Sequence, residues 1–307
     1  QGGIISPLLA NIYLHELDKF VMKLKSEFDT PGVGQITPEY RELHNEIKRL
    51  SHRLTKVTGE EREMVLAEYK PKRQKLMTIP CTAQTDKKLK YVRYADDFLI
   101  AVKGNREDCQ WIKSKLAEFI GDTLKMELSE DKTLITHSSK CARFLGYDVR
   151  VRRSGKIKRG GPGHVKMRTL NGGVELLVPL NDKIRQFVFT KGVAIQKEDG
   201  SMFPVHRKYL VGLTDLEIVS VYNAELRGIC NYYGMASNFC KLHYFSYLME
   251  YSCLKTLASK HKTSLSKIID KFNDGTGKWG VPYETKMGSK RRYFANYADC
   301  KGKGSAT

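Results

Sequence analysis

The sequence contains no apolar run that approaches the ~20 residues of a membrane-spanning helix, so we expect a protein without a membrane segment. Its seven cysteines are an odd number and include no Cys-x-x-Cys pair, which argues against a zinc ribbon and against a disulfide framework. Reduced thiols in an intracellular compartment are the simpler expectation. The first residue is Gln1 rather than Met, and no signal-like segment precedes the first motif, so we expect the natural protein to begin further upstream.

Acidic residues are scarce in the second half of the chain. The formal charge is +19, and residues 151–307 contribute +15 of it, from 27 Lys and Arg against 12 Asp and Glu. A surface with that excess gains by releasing counterions from phosphates. Solubility alone seldom needs so large an excess. The charge therefore predicts a polyanionic partner, without separating RNA from DNA or from an anionic membrane.

The chain is long enough for two domains, since it has 307 residues. We place the boundary near residue 155 and treat residues 301–307 as a tail. In residues 1–155 the order helix, helical hairpin, helix and strands predicts an α+β fold with helices on one face of an antiparallel sheet. The inserted hairpin covers residues 37–70, and residues 156–300 have helical periodicity. The hairpin seam consists of apolar residues three or four apart: Tyr40, Leu43, Ile47, Leu50, Leu54 and Val57.

Local signals place the individual elements. Ser6 and Pro7 predict an N-cap and first turn. The inner face of that helix would be Leu9, Ile12, Tyr13, Leu17, Phe20, Val21 and Leu24. Later helix starts are predicted at Asn105, Asn181, Thr214 and Ser237, with a short helix at residues 263–272. Strands are predicted on both sides of Asp96–Asp97 and at residues 76–82, 124–128, 133–136 and 144–152, and a basic hairpin at residues 149–159.

Adjacent carboxylates at Asp96 and Asp97 interrupt a run of aromatic and β-branched residues, 90–102. Such flanks favour two buried strands with the acids at the bend between them. Two carboxylates forced together repel unless a cation joins them. Mg²⁺ suits such hard oxygens, and a pair of these ions can hold both the attacking and the leaving oxygen of a phosphoryl transfer. A solvated turn is the alternative, and the apolar flanks disfavour it.

Two further segments bear on this chemistry. Gln1, Gly2 and Gly3 come directly before a helix start, where backbone without Cβ lets a nucleotide or template strand approach and the helix end favours phosphate. Residues 128–133 place Lys132 on a loop, and Phe144-Leu145-Gly146-Tyr147 follows as a strand. Each segment alone is unremarkable.

Taken in this order, the segments resemble consecutive polymerase motifs of the group II intron reverse transcriptases. The glycine segment, Tyr94-Ala95-Asp96-Asp97, the Lys132 loop and Phe144–Tyr147 resemble four of them, and residues 222–233 and 254–262 resemble the thumb of that family, also called domain X. The resemblance implies a polymerase palm followed by an all-α helical-bundle thumb. It implies an RNA-directed DNA polymerase that also binds its intron RNA to assist splicing and mobility.

The resemblance also implies roles for individual residues. Asp96 and Asp97 would hold two Mg²⁺ ions, with Asp96 the more direct ligand, and Lys132 would lie near the leaving pyrophosphate. The pocket for the incoming dNTP and the RNA template would be lined by Gln1, Gly2, Gly3, Tyr94 and Ala95. Phe144, Leu145 and Gly146 would grip the end of the DNA primer.

Two parts of the family pattern are missing from the sequence. The first catalytic aspartate and the basic fingers lie upstream of the glycine motif in the family, and the Cys/His-rich endonuclease tail follows the thumb. With two of three metal-binding carboxylates, we expect this chain alone not to polymerise.

In the thumb segment, Asn223, Arg227 and Asn231 recur every four residues and share one helix face, with Tyr232 beside them. A guanidinium between two amides suits an RNA backbone or minor groove. The alternative is that these groups satisfy buried loop carbonyls. Further phosphate contacts are predicted at Lys255, Lys260, Lys262, residues 290–292 and the basic hairpin.

Three functional hypotheses remain at this point. A polymerase is favoured because both acids of the Asp96–Asp97 pair are intact. A splicing-only maturase is the first alternative, and a retron or defence reverse transcriptase is weaker because residues 254–262 resemble the maturase thumb. We expect a bacterial cytoplasm, with an organelle as the alternative.

Overall fold

The computed structural model describes residues 5–32, 34–83, 86–154, 156–160, 165–169, 171–286 and 288–300. The chain divides into two compact units. The first comprises Gln1–Phe144 and Val151–Gly173, and the second comprises Leu145–Arg150 and Val174–Thr307. Among the described residues, no helix combines the length and the apolar character needed to cross a bilayer.

Helices and short antiparallel strands make up both units, so the α+β class is confirmed. The α-helices are α1 (Ser6–Phe28), α2 (Pro38–Leu54), α3 (Gly59–Leu76), α4 (Arg106–Asp122), α5 (Arg185–Thr190), α6 (Asp215–Tyr232), α7 (Leu242–Lys260) and α8 (Leu265–Phe272). The strands are β1 (Lys88–Tyr94), β2 (Asp97–Lys103), β3 (Ala142–Phe144), β4 (Tyr147–Val151), β5 (Ile157–Gly160), β6 (Val165–Arg168), β7 (Val174–Leu177), β8 (Ala194–Gln196), β9 (Met202–Pro204), β10 (Gly280–Thr285) and β11 (Gly288–Tyr293).

The core of the first unit joins α1, β1 and α4. Its buried residues are Leu14, Leu17, Val21, Leu24, Phe28, Leu89, Ile112, Leu116, Ile120 and Leu124. The predicted inner face of α1 is wrong over the first two turns, because Leu9, Ile12 and Tyr13 are exposed and burial begins only at Leu14. The N-cap is Ile5 rather than Ser6, and it makes no side-chain capping bond.

The inserted hairpin forms as predicted but is longer. Thr37 caps α2 by accepting a hydrogen bond from the Tyr40 amide, and α3 continues through Pro71 to Leu76. The predicted strand at residues 76–82 is therefore wrong. Residues 72–76 are good helix formers, which explains the continuation. Only Ile47 and Val65 are buried in this hairpin, while the rest of the predicted seam is half-buried.

Several predicted strands of the first unit are irregular. Residues 124–128 and 133–136 form no strand, and the predicted strand at 144–152 is divided by a turn at Leu145–Gly146. The basic hairpin at 149–159 is also wrong, because β5 pairs with β6, with Ile157 opposite Arg168. Alternating apolar residues identify a strand, but they do not choose its partner.

The second unit is built around α7. This helix is buried on most sides against α6, α8 and the loops before them, and its buried apolar residues are Leu242, Phe245, Leu248, Met249, Cys253, Leu254, Leu257 and Ala258. Thr214 and Glu217 form a capping box at the predicted start of α6. Asn181 lies inside a π-helical turn capped by Pro179, and Ser237 precedes a short 3-10 turn rather than starting α7. The helices are accompanied by two hairpins, β8–β9 and β10–β11, which helical periodicity did not predict.

A buried ion pair links the loop before α6 to that helix. The Arg207 side chain is 1% exposed, and its Nη1 lies 2.6 Å from Oε2 of Glu225, with Nη2 3.0 Å from Oε1. The guanidinium also lies over the rings of Tyr209 and Tyr222. Since a desolvated charge needs a partner, each member of this pair depends on the other.

Glu225→Gln should lower the free energy of unfolding by about 3–5 kcal/mol, because it leaves the Arg207 charge buried without a counterion. Replacing both residues by Met and Leu should recover most of that loss. Urea unfolding measures both effects. The control is Glu61→Gln, whose partner Arg53 is 58% exposed, and it should change stability by about 1 kcal/mol or less. Equal effects of Glu225→Gln and Glu61→Gln would contradict the prediction.

Candidate functional site

The Asp96–Asp97 pair lies at a two-residue hairpin loop. Tyr94 and Asp97 form the last pair of the β1–β2 ladder, so Ala95 and Asp96 make the turn. Ala95 has φ of +54°, a conformation that glycine adopts more readily than alanine. The two strands form as predicted, but the buried bend is a correction, since residues 94–97 are all exposed and the strands themselves are only partly buried.

Arg93 ties the backbone of this loop to α1. Its Nη1 donates to the Ala95 carbonyl oxygen at 2.7 Å and to Oδ1 of Asn11 at 3.1 Å. Its Nε and Nη2 donate to the two carboxylate oxygens of Asp18 at 2.8 and 2.6 Å. A guanidinium is planar and makes such paired bonds without rearrangement, so the loop that holds the acids has a fixed position relative to α1.

The Asp18 carboxylate is held in its ionised form. Hydrogen bonds from Arg93 lower the pKa of Asp18 and outweigh its partial burial, and the Tyr91 hydroxyl contributes a further bond of 2.8 Å. Burial and the same bond raise the pKa of Tyr91. Sequence analysis missed Asn11, Asp18 and Arg93, although the spacing of seven between the first two places them on one face of α1.

The donor chemistry of the loop suits a divalent cation only in part. Asp96 and Asp97 offer hard oxygens in an exposed position, which Mg²⁺ prefers. Within the ranges that the structure describes, no group of three Asp, Glu, His or Cys side chains could hold a metal ion. Asp96 and Asp97 are thus a pair of neighbouring carboxylates without a third such side chain grouped with them among the described residues.

Of the other residues predicted for the pocket, Tyr94 and Ala95 lie at this loop. Lys132 lies in an exposed turn between α4 and β3. Gln1, Gly2 and Gly3 lie outside the described residues.

Leu145 and Gly146 form a tight turn that three tyrosines hold in place. Both residues have positive φ, +45° and +72°. Tyr232 Oη donates to the Leu145 carbonyl oxygen at 2.6 Å, and Tyr233 Oη donates to that of Gly146 at 3.2 Å. Tyr147 Oη in turn donates to the Tyr232 carbonyl. A Cβ at position 146 would lie 3.1 Å from Tyr232 Oη, which explains the glycine. Tyr232, predicted as an RNA contact, thus supports the predicted primer-grip turn.

Asn223 is buried, which corrects its predicted place on an RNA-binding face. Its Nδ2 donates to the Tyr293 carbonyl at 2.8 Å, and its Oδ1 accepts from the Ala295 amide at 2.7 Å. Asn223 therefore satisfies buried backbone groups, which was the alternative hypothesis for this helix face. Arg227 and Asn231 lie on the same helix and are exposed.

The lysines at the end of α7 are engaged within the unit. Lys255 Nζ donates to the Pro204 carbonyl at 2.7 Å. Lys260 Nζ donates to the Leu213 carbonyl at 2.6 Å and lies 2.8 Å from Asp215. Burial opposes ionisation of Asp215, but bonds from Lys260 and His261 prevail and lower its pKa. The bonds of Lys260 and His261 join the end of α7 to the start of α6.

Lys262 differs from the two lysines before it. It is exposed, in a turn with φ of +49°. Of the three predicted lysine contacts on this segment, it is the one at the open surface.

Two family profiles match consecutive parts of the chain. The profile for reverse transcriptase (RNA-dependent DNA polymerase) matches residues 70–149, which include the Asp96–Asp97 loop and the Leu145–Gly146 turn. The profile for type II intron maturase matches residues 174–298, which include α6 and α7. The chain belongs to the group II intron-encoded reverse transcriptases and maturases.

Individual relatives agree with this assignment. The chain is 71% identical over 301 residues to the group II intron-encoded protein LtrA of Lactococcus lactis subsp. cremoris, covering 98% of this chain and 50% of that protein. It is 31% identical over 286 residues to a COX1/OXI3 intron 2 protein of Saccharomyces cerevisiae, covering 89% and 31%. It is 28% identical over 187 residues to maturase K of Abies bracteata, covering 59% and 35%. The chain thus spans half the length, or less, of these curated relatives.

Asp18→Asn should reduce stability in a pH-dependent way. Because the folded-state pKa of Asp18 is lowered, its stabilisation is fully present above the usual Asp value of ~3.9 and is lost as pH falls through the lowered pKa. Urea unfolding should show a loss of about 1–3 kcal/mol at pH 7 that shrinks in acid. Glu16→Gln on the exposed face of α1 is the control and should have little effect. A loss for Asp18→Asn that persists unchanged in acid would refute this assignment.

Proposed function

We propose that the chain is the palm and thumb part of a group II intron reverse transcriptase, which copies RNA into DNA and binds its intron RNA to assist splicing and mobility. The observation that carries this proposal is the pair of carboxylates at Asp96 and Asp97, on a hairpin loop fixed to α1 through Arg93. An ordinary solvated turn has no need of a guanidinium that joins its backbone to a distant helix.

Reverse transcriptases use divalent metal ions, and Mg²⁺ suits the oxygens of Asp96 and Asp97. When bound, the metal neutralises charge and orients the attacking and leaving oxygens of the phosphoryl transfer. Asp96 would be the more direct ligand. Arg93 keeps the loop in place while two negatively charged carboxylates lie next to each other on it. The hydrogen bonds of Arg93 go to Asp18, Asn11 and the Ala95 carbonyl rather than to Asp96 and Asp97.

The remaining pocket roles rest on the family resemblance. Lys132 would lie near the leaving pyrophosphate, and Leu145–Gly146 with Phe144 would contact the primer end. The dNTP and template would meet Gln1, Gly2, Gly3, Tyr94 and Ala95. The hydrogen bonds from Tyr232 and Tyr233 support the primer role, because a turn that is already held in place loses little entropy when a strand binds.

The purified 307-residue chain should not extend a DNA primer on an RNA template. Its described part offers two adjacent carboxylates and no group of three metal-binding side chains, and such a pair should hold Mg²⁺ poorly. Incorporation of labelled dNTP is the measurement, and Asp96→Asn serves as the matched background. Extension by the parent chain that Asp96→Asn abolishes would overturn this expectation.

RNA binding is proposed for the exposed basic groups of the second unit. Arg227, Asn231 and Lys262 are exposed, and so are Lys290 and Arg292 on β11. Lys255 and Lys260 already donate to carbonyls within the unit, and these bonds hold α7 in position. Only the remaining N–H groups of the two lysines would contact phosphate. The +15 charge of residues 151–307 supports a polyanion as partner.

Arg227→Ala should weaken binding to a group II intron transcript about tenfold without lowering the melting temperature. Affinity of the parent chain should fall steeply with salt, since phosphate contacts release counterions, and filter binding at several salt concentrations measures both. Asn223→Ala is the contrasting variant. It should cost about 1–3 kcal/mol of stability, because it leaves two backbone groups unpaired. A flat salt dependence, or unfolding by Arg227→Ala, would count against the proposal.

A splicing-only maturase is the competing function. It shares the RNA surface and differs only in polymerase activity, and the retention of both acids favours the polymerase. A retron or defence reverse transcriptase is not supported by the match to the maturase profile over residues 174–298. A bacterial cytoplasm is proposed as the location, in line with the Lactococcus relative.

A further inference from the structure

Helix α7 carries an aromatic stripe at the positions that a packed helix leaves to solvent. Tyr244, Tyr247 and Tyr251 follow one another at spacings of three and four, so they share one face. The opposite sides of the helix are buried in the core of the second unit. Outward positions on such a helix ordinarily hold charged or small polar side chains. This row, the tyrosine stripe, instead presents three rings, of which Tyr251 is half-buried.

The rings of the tyrosine stripe are ordered against one another. Tyr244 and Tyr247 have centroids 6.2 Å apart and planes 12° from parallel, and Tyr247 and Tyr251 have centroids 4.4 Å apart. Tyr244 Oη donates to the Met202 carbonyl at 3.2 Å. Despite these contacts, Tyr244 is 45% exposed and Tyr247 is 40% exposed. The planes of Tyr247 and Tyr251 are tilted by 42°, so the near-parallel, partly exposed rings are those of Tyr244 and Tyr247.

Positive charge lies at one end of the tyrosine stripe. One turn beyond Tyr251, Lys255 Nζ lies 3.6 Å from the ring centroid of Phe203 on β9. Lys197 Nζ lies 4.8 Å from the same centroid. Burial lowers the pKa of Lys255, and repulsion by the charge of Lys197 lowers it further. A bound anion would relieve that repulsion.

Two acids of the same unit have hydrogen-bond donors of their own, although the charge of Lys197 also helps to lower the pKa of Asp199. Asp199 accepts from the amide and hydroxyl of Ser201 in the turn of its own hairpin. Glu250 on α7 accepts from Nε1 of Trp279 at 2.8 Å. Both carboxylates thus have other hydrogen-bond donors, and the stripe with its two lysines combines ring faces with positive charge.

We propose that the tyrosine stripe, together with Lys197 and Lys255, binds unpaired nucleotides of RNA, with bases stacked on Tyr244 and Tyr247 and phosphates next to the lysines. This inference rests on the proposed RNA binding by the second unit and names the part of the RNA that it takes. A duplex hides its base faces, whereas unpaired bases expose them to aromatic rings. Because residues 151–307 carry a charge of +15, a polyanion such as RNA complements them better than a protein surface with few acidic residues does.

The test uses the whole chain and two RNA probes, a 12-nucleotide oligouridylate that carries one central 2-aminopurine and a 12-base-pair RNA duplex. Tyr244→Leu with Tyr247→Leu keeps apolar bulk and removes the rings. The double variant should bind the single strand about tenfold or more weakly and lose the quenching of 2-aminopurine fluorescence that stacking causes. Duplex binding should stay unchanged. Tyr247→Phe should retain both affinity and quenching, and Tyr69→Leu on α3 is the matched control.

A second variant keeps the test independent of any folding defect in the first. Lys197 is exposed, and Lys197→Gln should weaken single-strand binding and reduce the salt slope by about one. Unchanged affinity and quenching in the tyrosine double variant would overturn the inference while leaving the proposed RNA binding intact. Equal losses for single strand and duplex would also overturn it. Self-association of the chain that the double variant abolishes, with RNA binding unaltered, would assign the stripe to a protein contact. Failure of the parent chain to bind any RNA would instead refute the proposed function.

Discussion

The Asp18 carboxylate is the group on which the candidate active site depends. It lies on α1, and through Arg93 it fixes the hairpin loop that carries Asp96 and Asp97. The loop itself is exposed, so packing contributes little to its position. The loop is held by charged hydrogen bonds instead of by hydrophobic packing. Such bonds are stronger than neutral ones. The loop can thus stay exposed and still keep one geometry.

The second unit makes a similar use of polar groups inside its core. Arg207 and Glu225 form a buried pair, Tyr222 Oη bonds Ser252 Oγ and Thr256 Oγ1 at 2.7 and 3.0 Å, and Asn223 holds the end of β11. Polar networks of this kind rigidify a core, although Nε of Arg207 is buried without a hydrogen-bond partner. The motif at residues 254–262 belongs to this framework as much as to any RNA surface, since Lys255 and Lys260 both donate to carbonyls.

Local signals predicted the elements that depend on a few neighbouring residues. The β1–β2 hairpin, the helix starts at Asn105 and Thr214, and the helical hairpin all formed. Prediction failed where a distant partner decides the outcome. The strand at residues 76–82 was replaced by a longer helix, and β5 found its partner in β6 rather than in β4. The alternation of apolar residues does not distinguish these outcomes. The energy of strand pairing depends on the partner strand, whose residues lie elsewhere in the chain.

The sequence by itself determined the chemistry of this protein. The adjacent acids, the excess of basic residues after position 150 and the order of the motifs follow from residue identity, and they placed the chain in its family. Only the tertiary structure decided which polar groups are free to use that chemistry. It buried Asn223, bonded one donor each of Lys255 and Lys260 to backbone carbonyls, and set Tyr232 against the Leu145–Gly146 turn. Burial depends on which elements meet, and contacts between residues far apart in the chain are not encoded in local spacing.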